Sequence, residues 1–258
     1  LRGDASLGSD GLTLDGTGDR FEMDPSNFKW GGNMTVEFYI NVTSVTSGNN
    51  FIGFGKDQTA NIGYFLVQER NATSYRGYFW ADGGLITIGD NIGTISTTTP
   101  DHHVIVFDTT SGIKWFLNGT LVSDTNASFS SSATSRTDYE YKLGAAPYNE
   151  DDADRGMIGK FLKFRYWLGT ALSSSQVTTL YNNRNNNISF KNSISKYHLL
   201  GEFDNDPFYG KSSLVHSDSS LNYTYNTAVF ETFTGSITTP TYNWDYRNNQ
   251  SVNDNIGG

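Results

Sequence analysis

The chain has 258 residues, 14% of them aromatic and 17% charged, with 27 glycines, no cysteine and a formal net charge of −9. That is too apolar and too weakly charged for a disordered chain, and its scattered lysines and arginines offer no basic face to nucleic acid or anionic lipid. Neither a disulfide framework nor a thiolate metal site can form, and no apolar run approaches the length of a membrane span.

Short β-branched and aromatic runs between glycine, asparagine and aspartate follow one another along the chain, the pattern of many strands joined by turns. Residues 1–12 are polar and glycine-rich and read as a loop or fraying edge; Arg2-Gly3-Asp4 within them is too short a match to carry an inference. Leu12–Leu14 and Arg20–Met23 are short strands around a glycine-rich turn. In Thr35–Val42, Val36, Phe38 and Ile40 alternate with Glu37, Tyr39 and Asn41, which predicts one buried and one open face. Strands follow at Phe51–Phe54, Tyr64–Gln68, Tyr75–Trp80 and Leu85–Ile88.

The stretch from His102 to Val122 organises the rest. His103–Asp108, Ile113–Leu117 and Leu121-Val122 read as three strands of a meander. Asn118-Gly119 supplies the φ > 0 pair that a two-residue type I′ hairpin requires. Thr125–Asp138 is rich in serine and threonine and predicts an exposed loop with no core position. Tyr139–Leu143 and the aromatic run Lys160–Leu168 are strands on either side of the acidic loop Asn149–Arg155.

One helix is expected near residues 173–182. Ser173 and Gln176 have capping-box spacing, and Val177, Leu180 and Tyr181 supply an apolar stripe. Beyond it apolar residues are sparse, with strand candidates at Lys196–Leu200, Tyr223–Phe233 and Tyr242–Tyr246.

The order of these pieces resembles a laminin-G-like jelly roll of the concanavalin A-like lectin/glucanase superfamily. The carrying residues are Leu12–Met23, Met34–Ile40, His102–Asp108, Lys114–Val122, Tyr141–Ala145, and the glycine-led strand Gly159–Trp167 running into Ala171–Tyr181. The resemblance implies an all-β fold, an antiparallel two-sheet β-sandwich over residues 1–185, followed by a β-rich tail over 186–258. Asp101 departs from it, standing where the family has tryptophan, and so does one extra residue before the helix. The tail segment Tyr197–Asn222 is similar to the opening of such a domain, so the tail is an incomplete second repeat or a strand that fills a sheet edge, its own or a neighbour's.

Several residue groups offer chemistry. Asp151, Asp152 and Asp154, beside Asn149 and Glu150, form an acidic loop of the kind that supplies calcium with carboxylate and carbonyl oxygens. Asp15 and Asp19 are a second, thinner set. A glycan site needs aromatic platforms flanked by hydrogen-bonding loops; Tyr148, Asn149 and Trp80 are the expected contacts, from a pool that includes Tyr75, Tyr78, Trp115 and Trp167. Eight N-x-[ST] sequons begin at Asn33, Asn41, Asn71, Asn118, Asn126, Asn187, Asn222 and Asn249 and point to secretory or surface glycosylation. Adjacent strand residues face opposite ways, so His102 and His103 cannot share a metal; one should be packed and one exposed.

Three functions follow. The first is a non-enzymatic extracellular or surface module binding glycan or surface protein, with calcium as the expected cofactor. The second is a structural subunit of a virion surface or extracellular filament that self-associates through its tail. The third is a glucan hydrolase resting on Glu202, Asp204 and Asp206, whose alternation puts three carboxylates on one strand face. These lie after the closing helix, away from the mid-domain strand that the resemblance would make catalytic.

Overall fold

The computed structural model describes residues 1–8, 11–16, 18–23, 29–45, 48, 50–55, 64–81, 84–130, 134–135, 140–146, 155–185, 187–189, 230–232 and 242–245. Strands β1 (Ser6–Gly8), β2 (Gly11–Asp15), β3 (Phe21–Met23), β4 (Lys29–Trp30), β5 (Met34–Ser44) and β6 (Asn50–Gly55) open the chain. β7 (Tyr64–Arg70), β8 (Ser74–Ala81), β9 (Gly84–Ile92), β10 (Asp101–Asp108), β11 (Gly112–Leu117) and β12 (Thr120–Asp124) form its middle. After them come β13 (Thr134–Ser135), β14 (Glu140–Leu143), β15 (Ile158–Leu168), helix α1 (Ser174–Asn182), β16 (Asn187–Ser189), β17 (Phe230–Thr232) and β18 (Tyr242–Asp245).

Two antiparallel sheets carry the fold. The larger runs β1-β2-β15-β5-β10-β11-β12, with β18 also pairing β15, and the six-stranded sheet runs β3-β14-β6-β7-β8-β9. The short pairs β13-β4 and β16-β17 stand apart. This is the β-sandwich expected from the sequence, with a core between the inner faces. Val36, Phe38 and Ile40 of β5, Ile105 and Phe107 of β10 and Phe164 of β15 meet Phe54, Phe65, Phe79 and Tyr141 of the opposite sheet in that core.

The long central strands β5 and β15 pair over almost their whole length. Gly159 makes this possible: at φ +150° its backbone lies where a Cβ would strike the Asn41 carbonyl, and the ladder shifts register beside it. At the hairpin between β11 and β12, Asn118 (φ +50°) and Gly119 (φ +77°) both adopt the left-handed conformation that the tight turn needs. Three bonds lock that turn: the Asn118 amide nitrogen donates to Asp101 Oδ1 at 2.8 Å, its side-chain oxygen accepts from the His102 N–H at 2.9 Å, and its backbone N–H donates to the His102 carbonyl. Asp101 Oδ2 in turn accepts from the buried Tyr75 hydroxyl at 2.8 Å. The aspartate that departs from the resemblance is thus the polar link between the hairpin and the opposite sheet.

Helix α1 has the expected cap. The Ser173 hydroxyl accepts from the Gln176 N–H, and the Gln176 side chain accepts from the Ser173 N–H at 2.8 Å. Its stripe of Val177 and Leu180 packs with Leu172 on Val104, Val106, Phe116 and Trp167, on the outer face of the larger sheet.

Three expectations are corrected by this packing. β5 is buried on both faces, because the helix covers the side that alternation alone assigns to solvent. His102 and His103 are both fully buried, one beneath the helix layer and one in the core, where it stacks on Phe38 at 4.5 Å. The 125–138 stretch does hold a core residue: Phe129 packs edge-on to Phe79. The opening residues also contribute an edge strand, β1, paired to β2.

Candidate functional site: the open face of the six-stranded sheet

Alternation along β8 sends Tyr75, Gly77, Phe79 and Ala81 into the core and Arg76, Tyr78 and Trp80 outward. Gly77 is required here, since the Trp115 ring approaches to 3.0 Å from where its Cβ would stand. Tyr78 and Trp80 are partly exposed, their rings 6.1 Å apart and inclined at 56°. Leu66, opposite Tyr78 in register, forms the floor with Ala146, and Leu85, opposite Trp80, is 49% exposed. Tyr78 also faces Thr87 across the β8–β9 pair.

Polar groups ring this apolar strip. The Arg76 guanidinium lies 5.5 Å from the centroid of the Tyr78 ring. With the Gln68 amide oriented by its neighbours, its oxygen accepts from Arg76 Nε at 2.7 Å and from Nη2. Arg70 pairs with Asp90 at 3.1 Å at one end of the strip. At the other side, buried Lys142 meets Glu140 at 2.5 Å.

The site residues expected from sequence fall unevenly. Trp80 stands in this strip, whereas Tyr148, Asn149, Asp151, Asp152 and Asp154 lie outside the described residues, as do Glu202, Asp204 and Asp206. Ala146, which packs on Leu66, leads directly into the 147–154 stretch. Tyr75, Trp115 and Trp167 are core residues and offer no platform. Arg76 and Gln68 had no sequence signal beyond their alternation with inward-facing aromatics.

The thinner metal set gains a member. Asp4 joins Asp15 and Asp19, with one ligand oxygen from each lying within 4.8 Å of the others. Asp19 is buried and its oxygens accept from the Asp4 and Asp15 N–H groups at 2.8 and 2.9 Å. Burial raises its carboxyl above the usual range against those two amide bonds, and the neighbouring Asp4 and Asp15 carboxyls raise it further. One oxygen from each of the three carboxylates supplies half or less of the six to eight that calcium takes. The trio sits beside β3, four strand spacings from β8 in the sheet order, about 19 Å away.

The sequons also separate. Asn71 and Asn126 are exposed at left-handed turn positions. Asn118 locks its hairpin, Asn33 accepts from the Thr109 N–H and hydroxyl at 2.9 Å, and Asn41 has a buried side-chain oxygen. For Asn187 only the backbone is described, and Asn222 and Asn249 lie outside the described residues.

The outer face of the larger sheet holds a charge cluster of a different character. Glu37 Oε1 is 2.8 Å from His102 Nε2 and Oε2 is 3.2 Å from Arg165 Nη1, all three fully buried. Burial alone would raise the Glu37 carboxyl, but the Arg165 charge and the His102 hydrogen bond outweigh it and hold it at about 2. Burial lowers His102 below its ordinary value, so the neutral ring donates to Glu37. Lys163 donates to the Arg184 carbonyl and the Tyr39 hydroxyl to Asn185, both just beyond the helix. This cluster fastens the helix layer to the sheet.

Two antiparallel sheets packed face to face with a single described helix form a β-sandwich consistent with a jelly roll. The laminin G-like model of the concanavalin A-like lectin/glucanases superfamily matches residues 15–178, and the chain belongs to that superfamily. No curated protein sequence matches it. Among solved structures it is similar to domain 4 of the extracellular arabinanase AbnA from Geobacillus stearothermophilus, in complex with arabinotriose. That domain is 16% identical with a TM-score of 0.51, covering 70% of this chain and 82% of that one. It is similar too to the Trypanosoma rangeli sialidase in complex with sialic acid, 13% identical with a TM-score of 0.52. There the match covers 71% of this chain but only 29% of the sialidase. At these identities the likeness establishes the fold alone.

Proposed function

We propose that this chain is a non-enzymatic recognition module of extracellular or surface location that binds glycan on the open face of the six-stranded sheet. Trp80 and Tyr78 are the stacking platform in this reading, and Arg76, Gln68 and Thr87 the nearby polar groups. The observation that carries it is the pair of partly exposed rings fixed side by side on a rigid strand, over a floor of Leu66. Sugar rings present apolar C–H faces to such a platform and hydroxyls to directed donors and acceptors, the mix of apolar wall and few placed polar groups that ligand sites use. The arabinotriose and sialic acid bound by the two solved neighbours support carbohydrate as the ligand class to test first. Calcium at the Asp4–Asp15–Asp19 trio would steady the β3 edge and would not touch the ligand.

Two other readings have less support. Glucan hydrolysis needs two carboxyl groups facing each other across the scissile bond, and the residues proposed for it lie outside the described ones. A surface-assembly subunit would send its tail to a neighbour; the described tail strand Tyr242–Asp245 lies beside Lys163–Tyr166.

The test is a glycan array probed with the intact chain, first in calcium and then in chelator. Binding to at least one glycan class under both conditions, lost in Trp80→Ala, is the expected result. Silence under both conditions would overturn the reading.

A further inference from the structure

Arg76 is the outlier of the open face. Of its five guanidinium donors, two are spent on Gln68, which is itself buried and so fixes the plane of the fork against the sheet. The ring of Tyr78 covers one side at 5.5 Å. Among the described residues no carboxylate lies within ion-pair distance of it. The nearby Asp90 is engaged by Arg70, and Glu140 by Lys142. Among the described residues, this partly exposed arginine, in a chain of net charge −9, is thus held in place with no counter-charge and with three donors unspent.

Its place in the row adds the second half of the argument. Arg76, Tyr78 and Trp80 occupy alternate positions on one face of β8, so the row from cation to indole is about 14 Å long at 3.4 Å per residue. That is the reach of a short oligosaccharide laid along the strand, one unit at the guanidinium and its neighbours on the rings. A planar fork with adjacent free N–H groups matches a carboxylate better than it matches hydroxyls.

Resting on the glycan reading above, we propose that Arg76 is a specificity-determining contact that selects acidic saccharides, binding the carboxylate of a uronic-type sugar unit while Tyr78 and Trp80 stack the adjoining rings.

The experiment is calorimetric titration of the intact chain with a galacturonic acid trisaccharide and with its neutral galactose counterpart, for wild type, Arg76→Gln, Arg76→Lys and Trp80→Ala. Thermal unfolding of each variant establishes that it is folded. Wild type should prefer the uronate by about tenfold or more, the scale of a charge-assisted hydrogen-bonded pair. That preference should disappear in Arg76→Gln and shrink with added salt. It should return only in part in Arg76→Lys, which keeps the charge and loses the fork. Equal affinity of wild type for both sugars, or a preference that survives Arg76→Gln, would overturn the role of Arg76 and leave the glycan platform standing. Binding of neither sugar would overturn the choice of uronic ligand, and only silence across the glycan array would take the platform with it.

Discussion

The two sheets turn very different outer faces to the world. On the larger sheet, α1 and its flanking turns seal an apolar patch of Val104, Val106, Phe116 and Trp167, beside which Glu37, His102, Lys163 and Arg165 are buried as ions and hydrogen-bond partners. On the six-stranded sheet, Arg76, Tyr78 and Trp80 stand partly open, and Leu85 is half in solvent. Both faces use the same period-2 alternation, so alternation does not distinguish them. What differs, among the described residues, is that helix α1 returns to cover one of them. The face under the helix holds its charges by pairing them, and on the other Arg76, Tyr78 and Trp80 keep part of their surface exposed.

Substitutions on the covered face should act on stability and those on the open face on binding. The largest effect is expected from Glu37→Gln. It takes the Glu37 charge away from the buried Arg165 guanidinium and from the His102 ring, costing about 3–5 kcal/mol. Urea unfolding of the variant measures it. Leu180→Ala, at the helix-to-sheet contact, should cost about 2–4 kcal/mol by the same measurement, since Leu180 is fully buried.

Acid should attack the two buried histidines next, one beneath the helix and one in the core. Burial keeps His102 and His103 below their ordinary value of 6.5, whereas in the unfolded chain both take up a proton as pH falls through that value. The unfolded state then binds more protons, so stability falls with pH by about 1.4 kcal/mol per unit for each histidine, until the folded state itself protonates. Glu37 works in the same direction lower down. Its folded value of about 2 lies under the ordinary 4.5, so its contribution is full above about 4.5 and is lost as pH falls toward 2. Denaturation midpoints between pH 7 and pH 4 should decline continuously, and His102→Gln should flatten the upper part of that decline. The smallest stability effect belongs to the open face: Trp80→Ala should cost about 1 kcal/mol or less, while weakening glycan binding about tenfold or more.

Much of this architecture was legible in the chain because it is local. Ser173 and Gln176 sit three residues apart, Asn118 and Gly119 are adjacent, and the inward stripe of β5 needs no knowledge of anything beyond β5. The misses are all non-local. Nothing near Glu37 or Tyr39 says that residues about 140 positions later return to cover them. The exposure assigned to one histidine failed for the same reason. Phe129 looked like an isolated ring in a polar loop and packs on Phe79, fifty residues before it. Of the candidate site, Trp80 was legible as one ring of an aromatic strand. Arg76 was not, because its interest lies in having no counter-charge among the described residues, and that depends on where Asp90 finds its own partner.

The division of labour between the faces can be read in one titration. The protein, with its tryptophan indole N–H resonances assigned by substitution, is titrated with the tightest glycan found on the array while those resonances are followed by NMR. The account predicts a saturating shift at Trp80 and none at Trp167, beneath the helix. A shift at Trp167 with Trp80 unmoved would contradict it and place the ligand on the wrong side of the sandwich.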